Sequence, residues 1–162
     1  MIRDYQAIQA TWFPKGKQRL IRTYGKHEGT KLIGALDYES GEIFCIQEKQ
    51  YTAQEFLVFL ELLVAKYDGK RIVIILDNAK IHHAKLLKPF LEENKEDLIL
   101  KFLPPYSPNL NLIEGLWKWL KSSVINNVFF KSVAEIDKAV FGFIQKINSD
   151  KESVIRRLCL KL

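Results

Sequence analysis

The chain has 162 residues, of which 48% are hydrophobic and 12% aromatic, so it can bury a core and is not a disordered chain. No apolar run approaches the roughly 20 residues that a membrane span needs, and the N-terminus lacks a signal-peptide core. These features predict a soluble, cytoplasmic protein. Cys45 and Cys159 lie far apart in sequence and form no metal-binding pair, so we expect free thiols. The net charge of +6 is compatible with a polyanionic partner.

A basic segment near the N-terminus concentrates this charge and interleaves it with aromatic residues. One interpretation is a solvated basic loop, which composition alone favours slightly. The other is a surface that follows a phosphate backbone and stacks on bases. The cations of this segment are Lys15, Lys17, Arg19, Arg22, Lys26 and Lys31, and its aromatic residues are Trp12, Phe13 and Tyr24.

The first half of the chain predicts a hairpin followed by a helix. Residues 30–47 contain two apolar strands around the turn Glu39-Ser40-Gly41. Thr52 and Glu55 have the spacing of a capping box, in which each side chain accepts a hydrogen bond from an orphan amide. The apolar helix that begins there should end at Asp68-Gly69.

The second half alternates strands and helices. RIVIILD, at residues 71–77, contains five consecutive aliphatic residues, which predicts a central strand covered on both faces. We predict helices over 83–96, from near Asn111, and from a second capping box at Ser132. A strand over 98–103 and a stiff proline-rich loop over 104–108 lie between the first two of these helices. The layout is a mixed α/β fold in one domain, 1–162.

Asp77 is the first candidate for chemistry, because it stands where the central strand should end. Functional groups in open α/β sheets collect at the carboxyl ends of strands. The alternative is that Asp77-Asn78 simply favours a turn, and taken alone it explains the pair equally well.

Glu114 is the second candidate, and it lies early in the predicted third helix. It could cap that helix together with Asn111. Its neighbours Leu112, Ile113 and Leu116 are apolar, so we expect its carboxylate to have a partner such as a helix amide or a metal ion.

Two carboxylates from different elements could hold Mg²⁺ together with substrate phosphate oxygens, and two such ions can drive phosphoryl transfer. His82 and His83 follow Asp77 and could orient a group of the site or form polar helix-start positions; the two interpretations carry even weight.

Two blocks, LDNAKIHHAK and LPPYSPNLNLIEGLWKWLK, resemble the catalytic core of the DDE transposases of the mariner-like insertion-sequence group. WFPKGKQ and LIGALDYESGEIF are similar to that family as well. The resemblance covers residues from about 10 to about 145, and the proline-rich block is long and specific.

The resemblance implies a ribonuclease H-like fold, a mixed sheet flanked by helices. It also implies three acids that bind two divalent ions, Mg²⁺ or Mn²⁺, to cut DNA at transposon ends and join it to target DNA. Asp77, with Asn78, matches the second acid and Glu114 the third. His82 matches a histidine that commonly follows the second acid. The loop that positions the third acid is matched by Pro105, Tyr106, Ser107, Pro108 and Asn111.

The first acid of the family has no clear match. Asp4 follows no apolar run, and Asp37 lies in the hairpin turn, so both are poor substitutes. We therefore expect an N-terminally incomplete domain that lacks the first strand, the first acid and a separate DNA-end-binding domain.

Three hypotheses follow. The first is a transposase catalytic domain that cuts and joins DNA with divalent metal, and pairing of transposon ends would favour a homodimer. The second is an inactive fragment that binds DNA or a full-length transposase. The third is another ribonuclease H-like nuclease, such as a Holliday-junction resolvase, and the PPYSPNLN block argues against it.

Overall fold

The computed structural model describes residues 2–3, 8–17, 20–22, 28–105, 107 and 110–159. Its strands are β1 (Ile2–Arg3), β2 (Gly29–Leu36), β3 (Ile43–Glu48), β4 (Ile72–Leu76) and β5 (Leu98–Phe102). Its helices are α1 (Ala53–Lys66), α2 (Lys88–Glu93), α3 (Leu112–Leu120), α4 (Val133–Asn148) and α5 (Lys151–Val154). Two π-helical turns, Lys121–Ile125 and Ile155–Cys159, extend α3 and α5. Within these residues no helix combines the length and the apolarity needed to cross a bilayer.

The strands form two sheets, which together make the predicted mixed arrangement. β1, β2 and β3 are antiparallel, with Ile2 opposite Thr30 and Gly34 opposite Cys45. β4 and β5 are parallel and start with Ile72 opposite Leu98. We expected the first strand of the family's sheet to be missing. On the edge of β2 that does not pair with β3, the structure has the two-residue strand β1. Among the described residues, β2 meets a strand on this edge only at Gly29 and Thr30.

Helix α1 joins the two sheets through one shared core. Thr52 and Glu55 form the predicted capping box at its start. Phe56, Phe59, Leu60 and Leu63 are buried on one side of this helix, because that side faces strand residues of both sheets. The strand residues in this core include Ile33 of β2, Leu76 of β4 and Leu98 of β5.

A second core covers the opposite face of the three-stranded sheet. α3, α4 and α5 pack there, around the fully buried Leu116, Ile136 and Val154. α3 lies close to β2, since a Cβ atom at Gly34 would come within 3.0 Å of Trp117 Cη2. This packing sets the position of the start of α3, where Glu114 lies.

Two predicted elements differ in the structure. The helix expected over 83–96 is replaced by 3₁₀ turns at Lys80–His83 and Lys85–Leu87, followed by the six-residue α2. Pro89 explains the difference, because it has no N–H to bond within a helix interior but is tolerated in a first turn. The expectation that β4 is covered on both faces is also wrong, since Val73 and Ile75 are 53% and 63% exposed.

The β2–β3 turn offers a test of packing against α5. Gly41 has φ +73°, and a Cβ there would lie 2.5 Å from the Lys151 carbonyl oxygen. Gly69 has a similar φ of +70° but has no atom within 4 Å of such a Cβ. We expect Gly69→Ala to lower the free energy of unfolding by about 1–2 kcal/mol, the usual cost of left-handed backbone, and Gly41→Ala to lower it further. Urea unfolding measures both, and equal losses would show that α5 does not restrict the turn.

Candidate metal and DNA site

The chain places Asp77 at the carboxyl end of β4, as predicted, with its side chain exposed. Its Oδ1 atom accepts a hydrogen bond from Ala79 N at 3.1 Å and lies 3.1 Å from His82 Nδ1. No bond to Oδ2 is found in the part of the chain that the structure describes. One carboxylate oxygen is therefore held by the protein.

His82 is a buried neighbour of Asp77 rather than a solvated helix-start residue. It is 8% exposed, and its ring lies 4.5 Å, centroid to centroid, from that of Phe56 on α1. Its Nδ1 is 3.1 Å from both the Asp77 carbonyl oxygen and Asp77 Oδ1, so Nδ1–H is the donor. Helix α1 thus fixes the imidazole, and the imidazole orients the carboxylate.

Asn78 joins the tips of β4 and β5. Its Nδ2 donates to the Leu103 carbonyl oxygen at 2.5 Å, and Leu103 N donates to Leu76 O at 2.8 Å. These bonds fix the start of the proline-rich loop relative to Asp77. Asn78 is therefore a structural residue in this arrangement.

Glu114 lies in the first turn of α3, and its side chain is exposed. Glu114 does not face the core side of α3 that carries Leu116 and Leu120, so burial does not impose a partner on its carboxylate, and a metal ion as its partner stays a prediction. Asn111 is the N-cap residue but makes no side-chain capping bond, so the capping-box alternative is wrong.

Tyr51, which sequence reasoning missed, is affected by the charge of both acids. Burial first, and then the charges of Asp77 and Glu114, raise the pKa of the Tyr51 phenol. Both carboxylates therefore contribute to the electrostatic potential at one hydroxyl group, although they are on different elements. In the sequence, the only indication of Tyr51 was its position between β3 and the capping residue Thr52.

Asp37 lies at the opposite end of the sheets and cannot replace a missing acid at this site. Its Oδ1 accepts hydrogen bonds from Glu39 N at 2.9 Å and Ser40 N at 3.1 Å, as a turn residue does. Burial opposes ionisation, but these bonds and the charge of Lys70 keep its pKa below the usual value. Lys70 precedes β4, whereas Asp77 follows it.

The predicted DNA-binding residues are described only in part. Lys15, Lys17 and Arg22 are exposed, and Trp12 is 96% exposed. Gln9 attaches this segment to the α3–α4 connection, since its N–H donates to Asn127 Oδ1 at 3.0 Å. Arg19, Tyr106, Pro108 and Asp4 lie outside the described residues, as do Tyr24 and Lys26 of the basic segment.

The thiols of Cys45 and Cys159 are free, as expected. Burial raises the pKa of Cys45 to about 12, so this thiol stays protonated and does not contribute to the site.

The sequence matches the family described as DDE superfamily endonuclease over residues 1–137. The chain belongs to this family. Among curated proteins it is 30% identical over 142 residues to the insertion element IS630 uncharacterized 39 kDa protein of Shigella sonnei, covering 87% of this chain and 41% of that protein. It is 36% identical over 69 residues to the uncharacterized protein y4pE/y4sA of Sinorhizobium fredii, covering 43% of this chain and 47% of that protein. The chain therefore spans less than half the length of these relatives.

Solved structures confirm the predicted ribonuclease H-like fold. The Mos1 transposase paired-end complex with left transposon end superposes with a TM-score of 0.63 at 16% identity, over 96% of this chain and 52% of that one. The Mos1 mariner paired-end complex with Mn gives a TM-score of 0.57 at 16% identity, over 94% of this chain and 51% of that one. At 16% identity these superpositions show a shared fold. The chemistry of this DDE family member depends on its own residues.

The residues of the candidate site meet one requirement of a divalent-ion site and lack another. Asp77 and Glu114 each offer exposed carboxylate oxygens, the kind of ligand that Mg²⁺ or Mn²⁺ takes together with phosphate oxygens. A cluster of three or more His, Cys, Asp or Glu side chains that could hold a metal is absent from the described residues.

His82 can be tested as a positioning residue. We expect His82→Ala to weaken Mn²⁺ binding by about 10- to 100-fold, as loss of a partner that orients a metal ligand does. His82→Asn retains an N–H donor near the position of Nδ1 and should restore much of the affinity. Calorimetric titration of both variants measures this, and equal weakening would show that His82 only fills space against Phe56.

Proposed function

We propose that this chain is a transposase catalytic domain that cleaves and transfers DNA strands with Mg²⁺ or Mn²⁺. The observation that carries the proposal is the geometry of Asp77 at the carboxyl end of β4, where its exposed carboxylate is held through Oδ1 by Ala79 N and His82 Nδ1. Glu114, exposed in the first turn of α3, is the second acid of the proposal. Membership of the DDE superfamily endonuclease family and the DNA complexes among its structural neighbours support this reaction class.

In this proposal Asp77 and Glu114 hold the ion, and His82 keeps Asp77 oriented. The bound ion supplies activation of a water or hydroxyl nucleophile and stabilisation of the leaving oxygen. Tyr51 is protonated at neutral pH, as a phenol ordinarily is, and its raised pKa favours the same form, so it can donate a hydrogen bond to a phosphate oxygen.

Cleavage of a DNA duplex carrying the element's terminal repeat, with Mg²⁺ or Mn²⁺, tests the reaction. Cleavage by the chain and its loss in Asp77→Ala would support the proposal, since Asp77 is exposed and its removal should leave the fold intact. Unimpaired cleavage by Asp77→Ala would overturn it. Asp37→Ala is the matched control and should cleave normally, because Asp37 lies at the other end of the sheets.

A second candidate is a non-cleaving fragment that binds DNA or a full-length transposase. It is favoured by the absence of a three-acid cluster from the described residues. DNA binding without cleavage in either metal would support it, and cleavage by the purified chain would exclude it. If the chain cleaves DNA, Asp4→Ala tests whether that residue, which lies outside the described residues, supplies the missing first acid. Pairing of transposon ends would then require two copies, which a sedimentation measurement with DNA can detect.

The segment carrying Lys15 and Lys17 is proposed to follow the DNA backbone. Both side chains are exposed, beside the turn in which Lys17 N donates to Pro14 O at 3.0 Å. Replacing both with alanine should weaken duplex binding and reduce the salt-dependence slope by about 0.9 for each phosphate that is no longer neutralised. Lys95→Ala in the turn after α2, combined with Lys146→Ala on α4, removes the same charge elsewhere and should leave the slope almost unchanged. Equal slopes for both double variants would refute this role.

A further inference from the structure

Two aromatic rings are stacked on the surface beside the candidate site. The His83 imidazole and the Phe102 phenyl ring have centroids 4.3 Å apart and an interplanar angle of 22°. His83 is exposed and Phe102 is 41% exposed, so this pair is not a core contact. The adjacent His82 differs, since it is buried against Phe56.

The register of the parallel sheet places this ring pair next to Asp77. Phe102 is opposite Leu76, the residue before Asp77, and neighbouring strands lie about 5 Å apart. His83 closes the 3₁₀ turn whose His82 contacts Asp77. The rings therefore lie alongside the tip of the strand that carries the proposed metal ligand.

The chain around His83 is cationic. Residues 78–91 contain Lys80, Lys85 and Lys88 and no Asp or Glu. All three lysines are exposed. Exposed aromatic faces with flanking cations suit a single-stranded nucleic acid, whose bases stack while its phosphates contact the lysines.

We propose that His83 and Phe102 form a stacking platform for an unpaired base of the DNA strand whose phosphate reaches Asp77. A duplex would keep its base faces covered, so the ligand of this platform is single-stranded or locally unpaired DNA. The position of the phosphate rests on the function proposed above, whereas stacking requires neither metal nor cleavage.

The probe is a short single-stranded DNA with a central 2-aminopurine, titrated with the full chain in EDTA. Stacking on the platform should quench the fluorescence of the base. Phe102→Leu keeps apolar volume but removes the ring, and it should weaken binding about 5- to 150-fold, as should His83→Ala. Phe102→Trp restores a ring and should retain quenching. Phe141→Ala, at a 58% exposed ring on α4, is the matched control and should bind like the wild-type chain.

If Phe102→Leu and His83→Ala both quench and bind like the wild-type chain, the platform is overturned. It is also overturned if both substitutions weaken the binding of fully paired duplex as much as they weaken the binding of single-stranded DNA. Ring-dependent binding that is as tight for RNA of the same sequence would overturn the assignment to DNA. If the chain cleaves nothing but ring-dependent quenching is found, the platform stands and the proposed reaction fails. If it cleaves DNA and the ring variants bind as the wild type does, the reaction stands and the platform fails.

Discussion

Asp77→Asn will weaken Mn²⁺ binding by more than about 100-fold, because even loss of a residue that only orients a ligand costs 10- to 100-fold. Asparagine retains an oxygen that can accept the bonds from Ala79 N and His82, so the loop should keep its conformation. The lost affinity then reports the missing negative charge. Calorimetry or electron paramagnetic resonance of Mn²⁺ measures it.

Asp68→Asn is the matched control for this substitution. Asp68 is exposed and lies in the turn before β4, whereas Asp77 follows the same strand, so the two variants lose the same charge at opposite ends. We expect Asp68→Asn to bind Mn²⁺ like the wild-type chain. Equal weakening in both variants would mean that net charge, and not a local site, determines the affinity.

Leu60→Ala will lower the free energy of unfolding by about 2–5 kcal/mol, the usual range for a buried leucine. Leu60 is fully buried on α1, in the core that contains residues of both sheets. These sheets share no strand pair in the described residues, so packing against α1 is what connects them. Urea unfolding followed by circular dichroism measures the change.

Leu62→Ala removes the same atoms from the same helix at a position that is 46% exposed. It should change stability far less than Leu60→Ala, because its side chain leaves little cavity behind. Similar losses for the two variants would contradict the assignment of α1 as the connection between the sheets.

Local signals in the sequence predicted much of this fold. The Thr52–Glu55 capping box, the Gly41 turn and the aliphatic run of β4 each depend on contacts within a few residues. Pro89 was also visible, and it rules out a continuous helix from 83 to 96, since a proline inside that helix would break its hydrogen bonding. The apolar spacing of residues 83–96 predicted one helix, but the missing N–H of Pro89 decides the local structure.

Local signals in the sequence could not predict contacts between distant segments. The aliphatic run of β4 did not reveal that Val73 and Ile75 lie on an exposed face, because coverage depends on where α3, α4 and α5 pack. Asp77 and Glu114 were identified by motif, whereas the effect of their charges on the pKa of Tyr51 depends on how the folded chain places β3, β4 and α3. The burial of His82 likewise depends on α1.

The central claim is that Asp77 and Glu114 hold the same ion, and a double-mutant cycle on Mn²⁺ affinity tests it most directly. Asp77→Asn, Glu114→Gln and the double variant are titrated in parallel with the wild-type chain. Residues that share one ligand are coupled, so the double variant should lose little more affinity than either single variant. Losses that add independently, or single variants that bind Mn²⁺ like the wild type, would contradict a shared site.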